Sequence, residues 1–162
     1  ISASHKVEIS QPINLNGGSD LHTATVGESN NHTGSNAGSI IIASQYENTT
    51  INTDIGANGG TGDLQGGDGG LLNVMSKLAI TLSGSVNLNG GSTIANDADS
   101  FETEGGDAGA VYAVAESMDS QVTSTITANA GTGDVPGKEK VIYVDADCLS
   151  DNCGITDGPR RG

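Results

Sequence analysis

Two glycine-rich stretches of this chain hold acidic side chains that could do chemistry together. Asp63 and Asp68 stand in one; Asp97, Asp99, Glu102, Glu104 and Asp107 stand in the other. Hard cations such as calcium take about six to eight oxygens from carboxylates and carbonyls, and a glycine-rich loop can turn its carbonyls inward. Calcium is therefore the cofactor these residues would take. The other reading of the same residues is a set of solvated acidic loops.

The segment Gly66-Gly67-Asp68-Gly69-Gly70-Leu71 approaches the calcium β-roll nonapeptide. A leucine stands where that motif has an aspartate, and the unit does not recur at the motif's spacing. Cys148 and Cys153 are the only cysteines. Two ligands do not make a structural zinc site, and the spacing is not Cys-x-x-Cys. In an extracellular setting a disulfide closing this small loop is expected, with free thiols as the alternative. Asn31-His32-Thr33 and Asn48-Thr49-Thr50 fit the glycosylation sequon, which makes Asn31 and Asn48 acceptors where the source has that pathway. His22 and His32 share a stretch with Ser19, Asp20 and Ser29, but no nucleophile elbow accompanies them. They read as loop surface, and no catalytic residue is assigned. The expectation is that the chain is not an enzyme; a polysaccharide-acting enzyme ranks last among its functional classes.

Charge narrows the partners. The chain carries 20 acidic residues against six basic ones, a formal net charge of −14. Lys6, Lys77, Lys138 and Lys140 are scattered and Arg160-Arg161 lie at the end, so there is no basic patch for nucleic acid or anionic membrane. No apolar run approaches the ~20 residues of a membrane span. The sequence opens at Ile1 without Met, which reads as a mature secreted protein or a piece of something larger. The expected location is extracellular or on the cell surface.

The elements that must position these residues form a repeat. Asn-Gly-Gly, once Asn-Ala-Gly, recurs at Asn16, Asn58, Asn89 and Asn129. A second glycine marker follows at Gly38, Gly70, Gly109 and, more weakly, Gly137. From the second marker to the next Asn there are 19 residues (39–57), 18 (71–88) and 19 (110–128). From the Asn triplet to the second marker there are 19 (19–37), 9 (61–69), 17 (92–108) and 5 (132–136). Length variation confined to one loop of each unit is the mark of a solenoid.

The constant stretch reads as β-structure. One residue before each Asn stand Leu15, Ala57, Leu88 and Ala128; three before, Ile13, Ile55, Val86 and Ile126; seven before, Ile9, Ile51, Leu82 and Val122. The period of two and the β-branched types predict short strands with one buried face. Five before the Asn the apolar phase breaks, at Gln11, Thr53, Gly84 and Ser124, and a bend is expected there. A further strand follows the second marker, with Ile40, Leu72 and Val111 two residues after it and Ile42, Val74 and Ala113 four after. In the last unit this strand slips, to Val141-Ile142-Tyr143-Val144-Asp145-Ala146-Asp147. The glycine pairs suit tight corners that need positive φ and leave no room for a Cβ.

Three short strands per unit make one coil of a parallel β-helix. The expected fold is all-β, a β-solenoid of about four coils with loop insertions on one face. Residues 1–147 form the solenoid domain and 148–162 a short C-terminal segment. Gly is 25 of 162 residues, with three Tyr, one Phe and no Trp, which suits a narrow aliphatic interior better than a globular β core. Few rings also argue against a glycan ligand.

The cadence Asn-Gly-Gly followed by Gly-Asp-Gly-Gly, strand, turn and strand resembles the glycine-rich repeats of secreted bacterial β-helix proteins. These are the filamentous-haemagglutinin-like and polymorphic-outer-membrane-protein-like adhesins, and the resemblance covers about residues 7–147. It implies a right-handed helix and a surface or extracellular structural module, not a reaction. Neither end of the repeat carries a helix or a bulky apolar plug, so subunits are expected to stack end to end into a homopolymer. The alternative is a binding module that uses the variable loops to hold a glycan or a protein.

Overall fold

The computed structural model of the chain describes residues 1–21, 32–94, 102–116 and 120–145. These contain strands β1 to β13, numbered in chain order, and no helix. β1 (Ser2–Ala3), β4 (Ser39–Ser44), β7 (Leu71–Ser76), β10 (Ala110–Ala115) and β13 (Ile142–Asp145) line up as a five-stranded sheet. β2 (Val7–Ile9), β5 (Thr49–Ile51), β8 (Ile80–Leu82) and β11 (Gln121–Val122) form a second sheet. β3 (Ile13–Asn14), β6 (Ile55–Gly56), β9 (Val86–Asn87) and β12 (Ile126–Thr127) form a third. Every pairing is parallel and joins a strand to its counterpart in the next coil. The fold is a parallel β-solenoid of four three-strand coils, with β13 opening a fifth.

The apolar positions stack into columns along the axis. Ile9, Ile51, Leu82 and Val122 are successive register partners, as are Ile13, Ile55, Val86 and Ile126. The third side of the core comes from Ile40, Leu72, Val111 and Ile142, and from Ile42, Val74, Ala113 and Val144. Most members of these columns are fully buried, while Ile40 and, in the end coils, Ile9, Ile13, Ile142 and Val144 are only partly covered. Full burial of one such side chain contributes about 1.5–3 kcal/mol. The expected bend lies between β5 and β6 and its equivalents, but the polar residues there do not all face water. Thr53 and Ser124 turn inward and are buried.

Beyond the third strand each coil leaves the apolar core and makes a flattened flap: an outgoing arm after the Asn, a tip, and a returning arm. The four asparagines form a column. Asn58 donates its backbone N–H (2.7 Å) and its Nδ2–H (3.1 Å) to Asn16 Oδ1. Asn89 does the same to Asn58 Oδ1, at 3.0 Å each, and Asn129 N–H reaches Asn89 Oδ1 at 2.9 Å. The steps of this column span 42, 31 and 40 residues, yet the bond recurs at every step. In Asn89→Ala, Asn129 N–H loses its acceptor, and Asn58 Oδ1 loses the Nδ2–H donor while keeping the backbone one. A loss of about 1–3 kcal/mol is expected, read as a lower urea midpoint.

The two arms are stitched face to face by backbone hydrogen bonds. Ser35 N–H donates to the Gly18 carbonyl (2.9 Å), Gly60 to Ser35 (2.9 Å) and Gly67 to Gly60 (2.9 Å). The zigzag continues with Gly91 to Gly67 (2.8 Å), Gly106 to Gly91 (2.9 Å), Gly131 to Gly106 (2.8 Å) and Gly137 to Gly131 (3.1 Å). A chain of hydrogen bonds thus climbs the axis, alternating between arms whose facing surfaces carry almost no side chain. None of the described glycines adopts left-handed backbone. The expectation of positive-φ corners is therefore corrected: glycine is needed here because two backbones approach too closely for a Cβ.

The last coil needs a second correction. Gly137 occupies the Ser35, Gly67 and Gly106 position, not that of Gly38, Gly70 and Gly109. Lys138 is the counterpart of Asn36, Asp68 and Asp107, which puts Lys140 where the earlier coils have their marker glycine. From Lys140 the spacing to Ile142 equals that from Gly109 to Val111, and β13 pairs with β10 without a slip.

Candidate functional site

The acidic residues expected to bind a cation are dispersed by the flap. Asp68 Oδ1 accepts the Asp107 N–H (2.9 Å), and Asp107 Oδ1 accepts the Lys138 N–H (2.8 Å). These carboxylates continue a column begun by Asn36, whose Oδ1 accepts the Asp68 N–H at 2.7 Å. The cation Asp107 faces is the Lys140 ammonium, 3.6 Å from Oδ2. Asp63 is buried at the short tip of the second coil, whereas Glu102 and Glu104 are exposed on the returning arm of the third. Among the described residues no three acidic, histidine or cysteine side chains gather as a metal-binding group. Asp97, Asp99, Asn31, Cys148 and Cys153 lie outside the described residues.

Asn48, the other sequon asparagine, is exposed, and its Oδ1 accepts the Ala79 N–H (3.0 Å) as a strut between coils. His32 and Asp20 do meet, Nδ1 to Oδ2 at 3.0 Å, between the outgoing and returning arms of the first flap. Ser19 Oγ instead accepts the Thr61 N–H at 3.1 Å. The arrangement is a polar staple between two arms of one coil.

A contact that sequence reasoning missed joins the returning arm of the third coil to the short flap of the fourth. Asp134 Oδ2 accepts from the Thr103 N–H and from Thr103 Oγ1, both at 3.0 Å, while the Asp134 N–H donates back to Thr103 Oγ1 at 3.0 Å. The Thr103 backbone donor, and then its hydroxyl, hold the Asp134 carboxyl below its ordinary range. A lowered pKa in the folded state favours the ionised form. The contribution is present above the ordinary aspartate value and is lost as pH falls through the folded one. The acid-side decline of the thermal midpoint below about pH 4 should accordingly be shallower in Asp134→Asn than in the parent.

The outward faces of the three sheets differ. The second sheet shows Glu8, Thr50, Thr81 and Gln121 in register, and the third shows Asn14, Gly56, Asn87 and Thr127. Both are polar. The five-stranded sheet instead shows Ile41, Asn73, Tyr112 and Tyr143 in one row and Ala43, Met75 and Val114 in the next. Ile41, Met75, Tyr112, Val114 and Tyr143 are all exposed. A depression of about 590 Å³ lies on this face, walled on one side by the ion pair of Lys77 and Glu116. It is the one sheet face of the described solenoid where large apolar groups meet solvent together.

No helix among the described residues is long and apolar enough to cross a membrane. Comparison with known proteins returns no matching family, no matching curated relative and no matching solved structure.

Proposed function

We propose that this chain is a structural module of an extracellular filament, sheath or adhesin stalk, a solenoid segment made to be extended along its axis. The observation that carries the reading is axial continuity. Three sheets, the asparagine column and the glycine zigzag run in register through all four coils, so each coil templates the next. At the first coil, β2 and β3 are the end strands of their sheets among the described residues. Such edges accept a further strand, from a second copy or from polypeptide preceding Ile1.

The test isolates that edge. Val7 N–H donates to Asn48, and Ile9 accepts from Asn52, so the backbone of Glu8 between them faces away from β5. Proline at position 8 removes the outward donor and leaves the β2–β5 bonds in place. Electron microscopy of the purified chain should show rods that lengthen with concentration, and Glu8→Pro should hold them at single-chain length. Rods of one length at every concentration would contradict self-assembly. Loss of long rods in chelator would place calcium at the junctions.

A further inference from the structure

We propose that the outward face of the five-stranded sheet binds a neutral glycan chain, laid along the solenoid axis across β7, β10 and β13. This does not depend on whether coils stack end to end.

The chain has three tyrosines and no tryptophan, and its aliphatic core uses none of them. Tyr112 and Tyr143 stand 40% and 48% exposed on this face, and Tyr46, 68% exposed, follows Gln45 at its edge. The rings are few, but Tyr112 and Tyr143 stand together and half exposed on one sheet face, an arrangement that points to a ligand. Tyr112 and Tyr143 are register partners on neighbouring strands, one strand spacing of about 4.8 Å apart. They make a two-ring platform directed along the axis. Asn73, the register partner of Tyr112 on its other side, joins Gln45 in lining the depression with carboxamides.

That mixture selects the ligand. A sugar has apolar C–H faces that rest on a ring and a rim of hydroxyls that need donors and acceptors close by. Tyrosine offers both an apolar body and a polar tip, and the carboxamides of Asn73 and Gln45 each donate and accept. The depression, about 590 Å³, is in the size range of ligand sites. Charge narrows the alternatives. A chain of net charge −14 repels an anionic polymer, and within the depression the one lysine is paired with Glu116, so the site itself presents no unpaired charge for a cationic one.

Affinity electrophoresis through gels cast with dextran, laminarin, glucomannan or alginate tests the inference. Retardation is expected in at least one neutral polysaccharide and not in alginate. Tyr112→Ala and Tyr143→Ala should each weaken it about tenfold, as removal of an aromatic anchor does. Asn73→Ala, which keeps both rings, should weaken it severalfold. All three positions face solvent, and an unchanged circular dichroism spectrum and thermal midpoint would show the fold intact. No retardation in any neutral gel, retardation indifferent to both tyrosine variants, or equal retardation in alginate would each overturn the inference. A concentration-dependent dimer abolished by Tyr112→Ala would also overturn it, by giving the face to a second copy.

Discussion

Gly106→Ala is expected to lower stability by about 3 kcal/mol, a fall in thermal midpoint of roughly 10 °C, while Gly18→Ala leaves it nearly unchanged. The two glycines belong to the same zigzag, so the contrast is one of space and not of backbone preference. A Cβ at Gly106 would fall inside the Gly67 carbonyl, and both groups are backbone held by ladders above and below. Neither can swing aside as a side chain would. A Cβ at Gly18 meets nothing nearer than Ser35 Oγ, at 4.0 Å. There the substitution only restrains the unfolded chain, an effect of about 0.4–1 kcal/mol in the stabilising direction. If both variants lose stability equally, glycine matters in the flap for some reason other than the close approach of the two arms.

Leu82→Ala should cost about 3 kcal/mol. Leu82 is fully buried between Ile51 and Val122 in its column, and the backbone around it is fixed by pairing on both edges of β8. The site can collapse only by bending a sheet, so most of the cavity remains. Leu78, 45% exposed beside the same strand, should tolerate alanine within about 0.5 kcal/mol. A solenoid adds a second signature, because each coil touches only its neighbours. A weakened third coil should loosen the coupling between the coils on either side, and the urea transition of Leu82→Ala should broaden as well as shift. A sharp transition displaced as a whole would mean that the core behaves as a single globular unit.

The strands were legible in the sequence because period-two apolar residues report directly on which side of a strand is buried. Ile51, Leu82 and Val122 could be aligned by counting back from the asparagines, and the structure stacks them in that order. The inner surface of the flap was not legible. Backbone-to-backbone bonds between Gly60, Gly67 and Gly91 leave no side-chain pattern, and glycine's other use, at positive-φ corners, explains the same letters. The misplacement of Gly137 has the same origin. Spacing between glycines cannot tell which of two facing columns one belongs to, whereas the Asn36, Asp68, Asp107 and Lys138 column settles it by hydrogen bonding. Two of the acidic residues have a structural role that composition does not show. Asp68 and Asp107 accept backbone N–H groups from the next coil, a role Asn36 fills equally well. The aromatic face was half legible. Tyr112 lies in outward phase on its strand, but the supposed slip after Gly137 hid the fact that Tyr143 stands beside it.

The central claim is that the flap is part of the solenoid's structure and as firmly held as its sheets. Amide hydrogen exchange on the native chain tests this most directly, because the zigzag bonds are all N–H to carbonyl. Gly60, Gly67, Gly91 and Gly106 are predicted to exchange as slowly as the core-strand amides of Val74 and Leu82, opening only with the coils that contain them. Glycine amides that exchange within the time of an open loop, while β7 and β8 stay protected, would contradict it.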